Sequence, residues 1–312
     1  MGTTYAVTLV ENTISEIQRA NLRSVVFKIL DEVDRMMSNY REDSELSRFN
    51  QSQSTIPFPV SDAMLDVIEE SLEISRLTGG AFDVTVGPLV DAWGFGSPGP
   101  VETAPDRAQI EALRHEVGYQ NIEMNRARSM LRKRRPGVQI DLSAIAKGYG
   151  VDRVALALAD AGIRDYLVEV GGEVRAYGMN EAEQPWRIAI ERPTPGTTAI
   201  HRVLRLTDGA VATSGEYRNF YDLQGVRVSH TIDPRSGLPV THQLRSVSVV
   251  SSRCIFADGL ATALEVLGPD EGFAIALEND WAALFIVEDK DGKLRDRPTP
   301  AFERIMEQQL MN

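Results

Sequence analysis

Residues 166–177 read Tyr-Leu-Val-Glu-Val-Gly-Gly-Glu-Val-Arg-Ala-Tyr, and this stretch decides the fold class. Its β-branched and aromatic residues predict two strands, Tyr166–Val170 and Glu173–Tyr177. The Gly171-Gly172 pair between them predicts a tight hairpin, or else a place where a ligand approaches the backbone. Because the two strands follow each other with no helix between them, an α+β fold is favoured over a strictly alternating βαβ chain.

Helices and further strands surround this hairpin in the sequence. Apolar residues at helical spacing predict a long helix that ends near Ser38, and Ser61 and Gly79-Gly80 mark the start and end of a second helix. The remaining predictions, in chain order, are a strand at 4–10, a Gly- and Pro-rich loop at 87–105, a helix at 106–116, a basic turn at 132–135, a strand at 138–142, a helix at 144–158, strands at 186–191, 203–206, 210–214 and 246–250, helices at 256–267 and 270–278, and a strand at 281–287. We find no repeat and no low-complexity linker, so we predict a single domain with two lobes over residues 1–312.

The composition limits the partners that the protein can bind. A net charge of -12 and a pI near 4.9 produce a long-range field that repels nucleic acids and anionic membrane surfaces. A phosphate-bearing ligand must therefore be held locally, by a metal ion, by backbone N–H groups or by a few Lys and Arg side chains. Cys254 is the only cysteine, which excludes an intrachain disulfide and a zinc site built on cysteines.

The segment Gly94–Gly99 formally matches the Gly-x-Gly-x-x-Gly pattern of dinucleotide-binding proteins. No predicted strand precedes it, and Pro98 and Pro100 prevent the helix whose N-terminus would bind a pyrophosphate. We therefore interpret this segment as a loop. The sequence also contains no Gly-x-x-x-x-Gly-Lys-Ser/Thr run, so a P-loop NTPase is not supported.

The segment Asp141–Gly150 lies where a predicted strand turns into a helix. It places an acid, a hydroxyl and the amine of Lys147 beside the N–H groups of the first helical turn, and such an arrangement can bind phosphate. The alternative is that Asp141 and Ser143 only cap the helix and that Lys147 is solvated.

Asp258 and Thr262 lie four residues apart on a predicted helix, so their oxygen atoms share one face. Two hard oxygen donors on one side suit Mg²⁺, which commonly keeps water molecules and substrate phosphate oxygens in its other positions. The alternative is that Asp258 compensates the helix dipole and that Thr262 bonds back to its own turn.

Two further segments combine reactive side chains with turn signals. His230 lies in the segment Ser229–Gly237, and an imidazole that titrates near neutral pH can take a proton from an attacking hydroxyl. A purely structural hydrogen-bonding role for His230 is the alternative. In the segment Gly79–Leu89, the glycines would let the backbone approach a flat ring while Asp83 accepts from its polar edge. The alternative there is a helix stop followed by a buried strand.

Taken together and in order, these blocks resemble the ApbE family of FAD:protein FMN transferases. The resemblance covers almost the whole chain, and several blocks in the correct order are more specific than one short motif. The blocks are Met1-Gly2-Thr3, Tyr40 with Ser44, Ser47, Arg48, Phe49 and Asn50, Gly80–Leu89 with Trp93-Gly94-Phe95-Gly96, Asp141–Gly150, Gly171-Gly172-Glu173, Ala212–Gly215, Ser229–Gly237 and Ala257–Thr262.

The resemblance implies a fold, a substrate and a set of functional residues. The fold has mixed or antiparallel sheets flanked by helices, with an FAD cleft between the two lobes. The implied contacts to the flavin nucleotide are Met1, Tyr40, Ala81, Phe82, Asp83, Asp141, Lys147 and Ile232. The implied catalytic residues and Mg²⁺ ligands are His230 as the base, Lys147, Asp258, Thr262 and the backbone carbonyl of Ala144. Some relatives carry an acid where this chain has Ala261, so we expect this site to bind its metal more weakly.

The activity that the resemblance implies is transfer of FMN from FAD to a Thr or Ser hydroxyl of another protein, with release of AMP. The alternatives are a protein that binds and delivers FAD without transfer, and a pyrophosphatase that hydrolyses FAD to FMN and AMP. The implied acceptors are membrane redox subunits, such as those of the sodium-pumping quinone reductase, the Rnf complex or the nitrous oxide reductase maturation apparatus.

The family resemblance also implies a location. Family members are commonly exported and lipid-anchored in bacteria, with the signal just upstream of the block that matches Met1-Gly2-Thr3. Because this chain begins at that block, we expect a periplasmic protein whose export segment is missing, and a cytoplasmic start is the alternative. Contact with the membrane is expected only through the missing lipid anchor.

Overall fold

A long antiparallel sheet organises the protein, for which we use a computed structural model that describes residues 2–10, 14–96, 99–196, 198–216, 219–223 and 225–311. The helices in these ranges are α1 Glu16–Met37, α2 Glu45–Gln51, α3 Asp62–Leu77, α4 Gly87–Ala92, α5 Arg107–Arg114, α6 Ala146–Asp160, α7 Cys254–Glu278 and α8 Pro300–Met311. The strands are β1 Tyr5–Leu9, β2 Phe58–Pro59, β3 Ile122–Asn125, β4 Met130–Lys133, β5 Tyr166–Val170, β6 Glu173–Tyr177, β7 Trp186–Glu191, β8 Ile200–Leu206, β9 Asp208–Ser214, β10 Phe220–Leu223, β11 Val226–Ser229, β12 Ile232–Asp233, β13 Leu238–Pro239, β14 Leu244–Ser251, β15 Ala282–Glu288 and β16 Leu294–Pro298.

Seven strands form the main sheet in the order β1-β5-β6-β9-β14-β15-β16, and every neighbouring pair is antiparallel. The sheet therefore joins strands from both ends of the chain. Purely antiparallel pairing beside separate helices confirms the predicted α+β class with flanking helices. The extent of the domain, predicted as residues 1–312, stays a prediction.

The two faces of the sheet are covered differently, so its central strands are apolar on both sides. On one face α7 packs against β9, β14 and β15, and α3 packs on α7, with side chains such as Ile68, Leu264, Val247 and Phe285 forming the largest apolar core. On the other face the β7–β8 hairpin and α8 form a second core that includes Phe302. α6 packs between α7 and α1 and contacts β5 and β6 of the sheet.

The hairpin that the sequence predicted is present with the predicted bounds of β5 and β6. Gly171 and Gly172 have φ values of 61° and 104°, which is the left-handed region that a tight antiparallel turn requires. The helix predicted after Ser61 is also confirmed, because the Ser61 hydroxyl accepts from the backbone N–H of Met64 at 3.2 Å.

The strand predicted at 138–142 is wrong, although its alternate residues are fully buried as the pattern implied. The segment is extended, but a side chain takes the place of a neighbouring strand. The Asn50 amide donates to the Ile140 carbonyl and accepts from the Ile140 N–H, both at 2.8 Å. The turn predicted at 132–135 is wrong in part, since Lys133 ends β4 and its buried ammonium donates to the carbonyls of Asn50 and Ser52.

One other boundary differs from the prediction. The loop predicted at 87–105 begins with α4, where Pro88 stands at the start of the helix and its missing N–H costs nothing. The two helices predicted at 256–267 and 270–278 are confirmed as the two parts of α7, which kinks at the non-helical residue Gly268, with φ 75° and ψ -172°, just before Pro269. Among the helices that the structure describes, none combines the length and the apolar character required to cross a membrane.

Candidate active site

The first turn of α6 crosses the first turns of α7 at Gly148. Its backbone N–H donates to Asp258 Oδ2 at 2.8 Å. A Cβ atom at this position would lie 2.4 Å from the Cys254 carbonyl oxygen and 2.7 Å from Asp258 Cβ, so only glycine allows this approach. The close crossing fixes the Asp258 carboxylate next to the residue that precedes Gly148, which is Lys147.

Lys147 lies between two buried carboxylates. Its Nζ is 2.8 Å from Glu173 Oε1 and 3.4 Å from Asp258 Oδ1. Glu173 and Asp258 are only 4% and 3% exposed, so water screens this cluster weakly. The structure thus brings together two of the predicted residues and adds Glu173, which we did not predict as a site residue. An acidic residue directly after Gly171-Gly172, at the start of a predicted strand, was the signal for it.

The electrostatics of this cluster leave negative charge unbalanced. Burial and the charge of Asp258 raise the pKa of Glu173 to about 8, and Lys147 offsets them only in part. Burial also raises the pKa of Asp258 against the opposing effects of Lys147 and the Gly148 N–H. Burial would lower the pKa of Lys147, but the two carboxylates outweigh it and raise this pKa. Two acids therefore compete for one ammonium, which favours an additional cation or a bound proton.

The other predicted metal ligands lie beside this cluster or at the same helix junction. Thr262 is one turn after Asp258 on α7, and its hydroxyl is 3.3 Å from the hydroxyl of Ser214 at the end of β9. Ala144 lies just before the start of α6. Within the described ranges, no three His, Cys, Asp or Glu side chains are grouped so that they could hold a metal ion. Any metal here would therefore depend on hydroxyl, carbonyl, water or substrate oxygens.

The helix start itself offers few free N–H groups, which differs from the expectation for a phosphate site. The N–H groups of Ile145 and Ala146 donate to the Leu142 carbonyl, and the N–H of Gly148 is used by Asp258. Asp141 accepts from the Ser143 N–H at 2.8 Å, as in the predicted capping alternative. Positive charge for an anionic ligand must therefore come from Lys147 or from a cation.

His230 follows β11, and its backbone N–H donates to the Asn219 carbonyl at 3.3 Å. Its ring packs edge-on to Phe95, with the ring centres 6.2 Å apart. The Nδ1 atom is buried and has no hydrogen-bond partner among the described residues. Burial lowers the pKa of His230, and the positive charge of Lys147 lowers it further. The imidazole is therefore neutral near pH 7 and has an unused nitrogen.

The segment 81–83, expected to contact a flavin ring, is built into the protein interior. Ala81 and Phe82 are buried in the largest core. Asp83 accepts from the Thr85 N–H and hydroxyl at 2.8 and 2.6 Å, and from the Tyr119 N–H at 2.6 Å. The partner that we expected for the Asp83 carboxylate was the polar edge of a ring, whereas the structure gives it these donors from its own loops.

The remaining predicted nucleotide contacts are spread over several surroundings. Tyr40 is 76% exposed and thus available to a ligand, whereas Ile232 is buried. Met1 lies outside the described residues, but Thr3 reaches the hairpin, because a Cβ on Gly171 would be 2.9 Å from Thr3 Oγ1. The roles predicted for these residues stay predictions.

An antiparallel sheet of this order flanked by helices is the fold of solved flavin transferases. A solved structure titled flavin transferase ApbE from Vibrio cholerae superposes with a TM-score of 0.89 at 42% identity, covering 97% of this chain and 96% of that one. The apo form of a Pseudomonas stutzeri flavinyl transferase ApbE gives a TM-score of 0.88 at 38% identity, over 98% of this chain and 94% of the other.

Sequence comparison agrees with the fold. The model of the ApbE family matches residues 1–285, and the chain belongs to the ApbE family. A relative from Vibrio cholerae named FAD:protein FMN transferase is 43% identical over 292 residues, which are 94% of this chain and 86% of the relative. A relative of the same name from Haemophilus influenzae is 39% identical over 98% of this chain and 90% of its own length.

Proposed function

We propose that this chain transfers the FMN half of FAD to a Thr or Ser hydroxyl of an acceptor protein and releases AMP. Family membership makes it a flavin transferase, and its curated relatives are named for this reaction. The observation that carries the proposal is the buried cluster of Lys147, Glu173 and Asp258 at the crossing of α6 and α7. An ammonium held rigidly by two acids is a suitable partner for a diphosphate.

We also propose that the reaction requires Mg²⁺. A diphosphate brought to Glu173 and Asp258 would add negative charge to a site that already lacks one positive charge. Thr262 places a hydroxyl one turn from Asp258 on α7, and Ala144 lies just before the start of α6. These hard oxygen donors fit Mg²⁺, with Asp258, Thr262 and the Ala144 carbonyl as its protein ligands. Bound there, the cation would neutralise charge that develops on the phosphate oxygens.

The residues of the chain have separate tasks in this reaction. Lys147, which stays protonated because its pKa is raised, would hold a phosphate oxygen. The acceptor oxygen bonds to the FMN-side phosphorus while the bond from that phosphorus to the bridging oxygen breaks, and AMP leaves with the electron pair. His230 would take the hydroxyl proton at its unpaired Nδ1, a task for which a neutral imidazole is required.

A direct assay distinguishes this activity from its two alternatives. The protein is mixed with FAD, Mg²⁺ and a purified, flavin-free subunit of the sodium-pumping quinone reductase, and the products are separated by denaturing electrophoresis. A fluorescent acceptor band that EDTA abolishes is the expected result. FAD binding with no labelled acceptor and no AMP would indicate a delivery protein, and AMP formed equally well without acceptor would indicate a pyrophosphatase.

A periplasmic site of action, with attachment to the membrane through a lipid anchor, is a further proposal that rests on the family resemblance alone. Cell fractionation of a strain that expresses the gene tests it. Recovery in the cytoplasmic fraction would contradict it.

A further inference from the structure

A cavity of about 340 Å³ lies between the β5–β6 hairpin and β7, next to the buried cluster of Lys147, Glu173 and Asp258. One wall is the hairpin, including Gly171-Gly172 and Glu173, and the opposite wall is formed by Arg187, Ala189 and Glu191 on β7. Thr213 lies at the end of the cavity that adjoins β9. The cavity therefore joins an open surface of the protein to the residues that surround Lys147.

Glu173 belongs to both the cavity and this buried cluster. One of its carboxylate oxygens pairs with Lys147 at 2.8 Å, and the other, Oε2, is buried with no partner among the described residues. An unpaired buried carboxylate oxygen is costly, so a hydrogen-bond donor is expected to reach it. A hydrogen-bond donor on a ligand that entered through this cavity would meet Oε2 beside Lys147.

The chemistry of the cavity fits a peptide segment better than a flavin ring. Among its described lining residues none is aromatic, whereas sites for flat rings usually present aromatic and apolar walls. Its volume is at the low end for ligand sites, well below what a whole dinucleotide requires. In the described part of the chain β7 pairs only with β8, so its second edge offers backbone groups to an extended segment.

We infer that this cavity binds the acceptor protein, as an extended segment that donates a hydrogen bond to Glu173 Oε2 and brings its Thr or Ser hydroxyl beside Lys147. The inference rests on the proposed FMN transfer and adds the route by which the acceptor reaches the phosphorus. The bonds change as described above: the hydroxyl oxygen bonds to phosphorus, AMP leaves with the electron pair, and the proton passes to His230. Glu169, Glu173 and Glu191 outnumber Arg187 along the walls, so the bound segment is expected not to be acidic.

Filling the cavity tests the inference. Ala189 is exposed on β7, so Ala189→Trp adds bulk to the cavity without disturbing the core. We expect the KM for the flavin-free quinone reductase subunit to rise at least tenfold, while the Kd for FAD stays within twofold of the wild type. Ala182→Trp is the matched control, because Ala182 is exposed in the turn before β7 and does not line the cavity. Its KM and Kd should equal those of the wild type, and melting curves of both variants check folding.

The outcomes separate this inference from the proposed function. A KM for the acceptor that stays within twofold in a folded Ala189→Trp variant, with transfer intact, overturns the docking site and leaves the transferase standing. A tenfold weaker affinity for FAD in that variant would show that the cavity holds the dinucleotide instead. If the wild-type protein labels no subunit of the three acceptor classes, the proposed function fails and the inference fails with it.

Discussion

Gly148→Ala tests the crossing of α6 and α7, on which the geometry of the site depends. The added methyl would lie 2.4 Å from the Cys254 carbonyl oxygen, a backbone atom that cannot turn away. Overpacking of this kind costs about 1–3 kcal/mol. If the helices separate, Asp258 also loses its 2.8 Å hydrogen bond from the Gly148 N–H, which is worth about 1.5–3 kcal/mol for a charged acceptor.

The higher helix propensity of alanine returns only about 1 kcal/mol, so we expect a net loss of roughly 2–5 kcal/mol. For a chain of this size that corresponds to a fall in Tm of roughly 4–10 °C. The Mg²⁺ concentration for half-maximal transfer should rise as well, because Asp258 moves.

Gly259→Ala is the matched control for this change. A Cβ atom there would meet only the ends of side chains, Ile74 Cδ1 at 2.6 Å and Ile145 Cδ1 at 3.3 Å, which can shift. We expect its Tm to change by less than half as much. Calorimetry and the labelling assay measure both variants. An unchanged Tm and an unchanged Mg²⁺ requirement in Gly148→Ala would refute the reasoning.

Three other predictions follow from the site. Asp258→Ala should abolish Mg²⁺-dependent transfer while FAD still binds, and full activity measured over a Mg²⁺ titration would remove Asp258 from the metal site. The pKa of His230 is lowered from 6.5, so the basic form is present at pH 7 and is lost only at more acidic pH. The fall of kcat/KM at acidic pH should thus occur below pH 6.5. His230→Ala should remove this pH dependence and slow transfer ~10²–10⁴-fold. A fall at the same pH in the variant would contradict the assignment of His230 as the base. Asp152→Ala should lower the free energy of unfolding by about 1–3 kcal/mol, because Asp152 accepts from the N–H groups of Cys254 and Ile255 at 3.0 and 2.9 Å and caps α7. Urea denaturation measures this loss, and an unchanged midpoint would contradict the capping role.

Elements that depend on local sequence were predicted well. The Gly171-Gly172 hairpin and the helix after Ser61 follow from backbone preferences and capping, which act within a few residues. Local sequence could not show that the segment 138–142 is not a strand. Its alternating apolar residues indicate which side chains are buried, but not whether the backbone pairs with another strand. Its partner is the side chain of Asn50, 90 residues away, and no local pattern indicates such a bond.

The sequence by itself determined the fold class, the helix that carries Asp258 and Thr262, and the helix that carries Lys147, since each depends on neighbours along the chain. Only the tertiary structure decided that Lys147 meets Asp258, 111 residues away, and that Glu173 is the second carboxylate beside this ammonium. The physical reason is the contact at Gly148, where the absence of a side chain lets two helices come close enough to bury these charges together. Burial then sets the pKa values that the proposed chemistry needs, and burial is a property of the packed molecule.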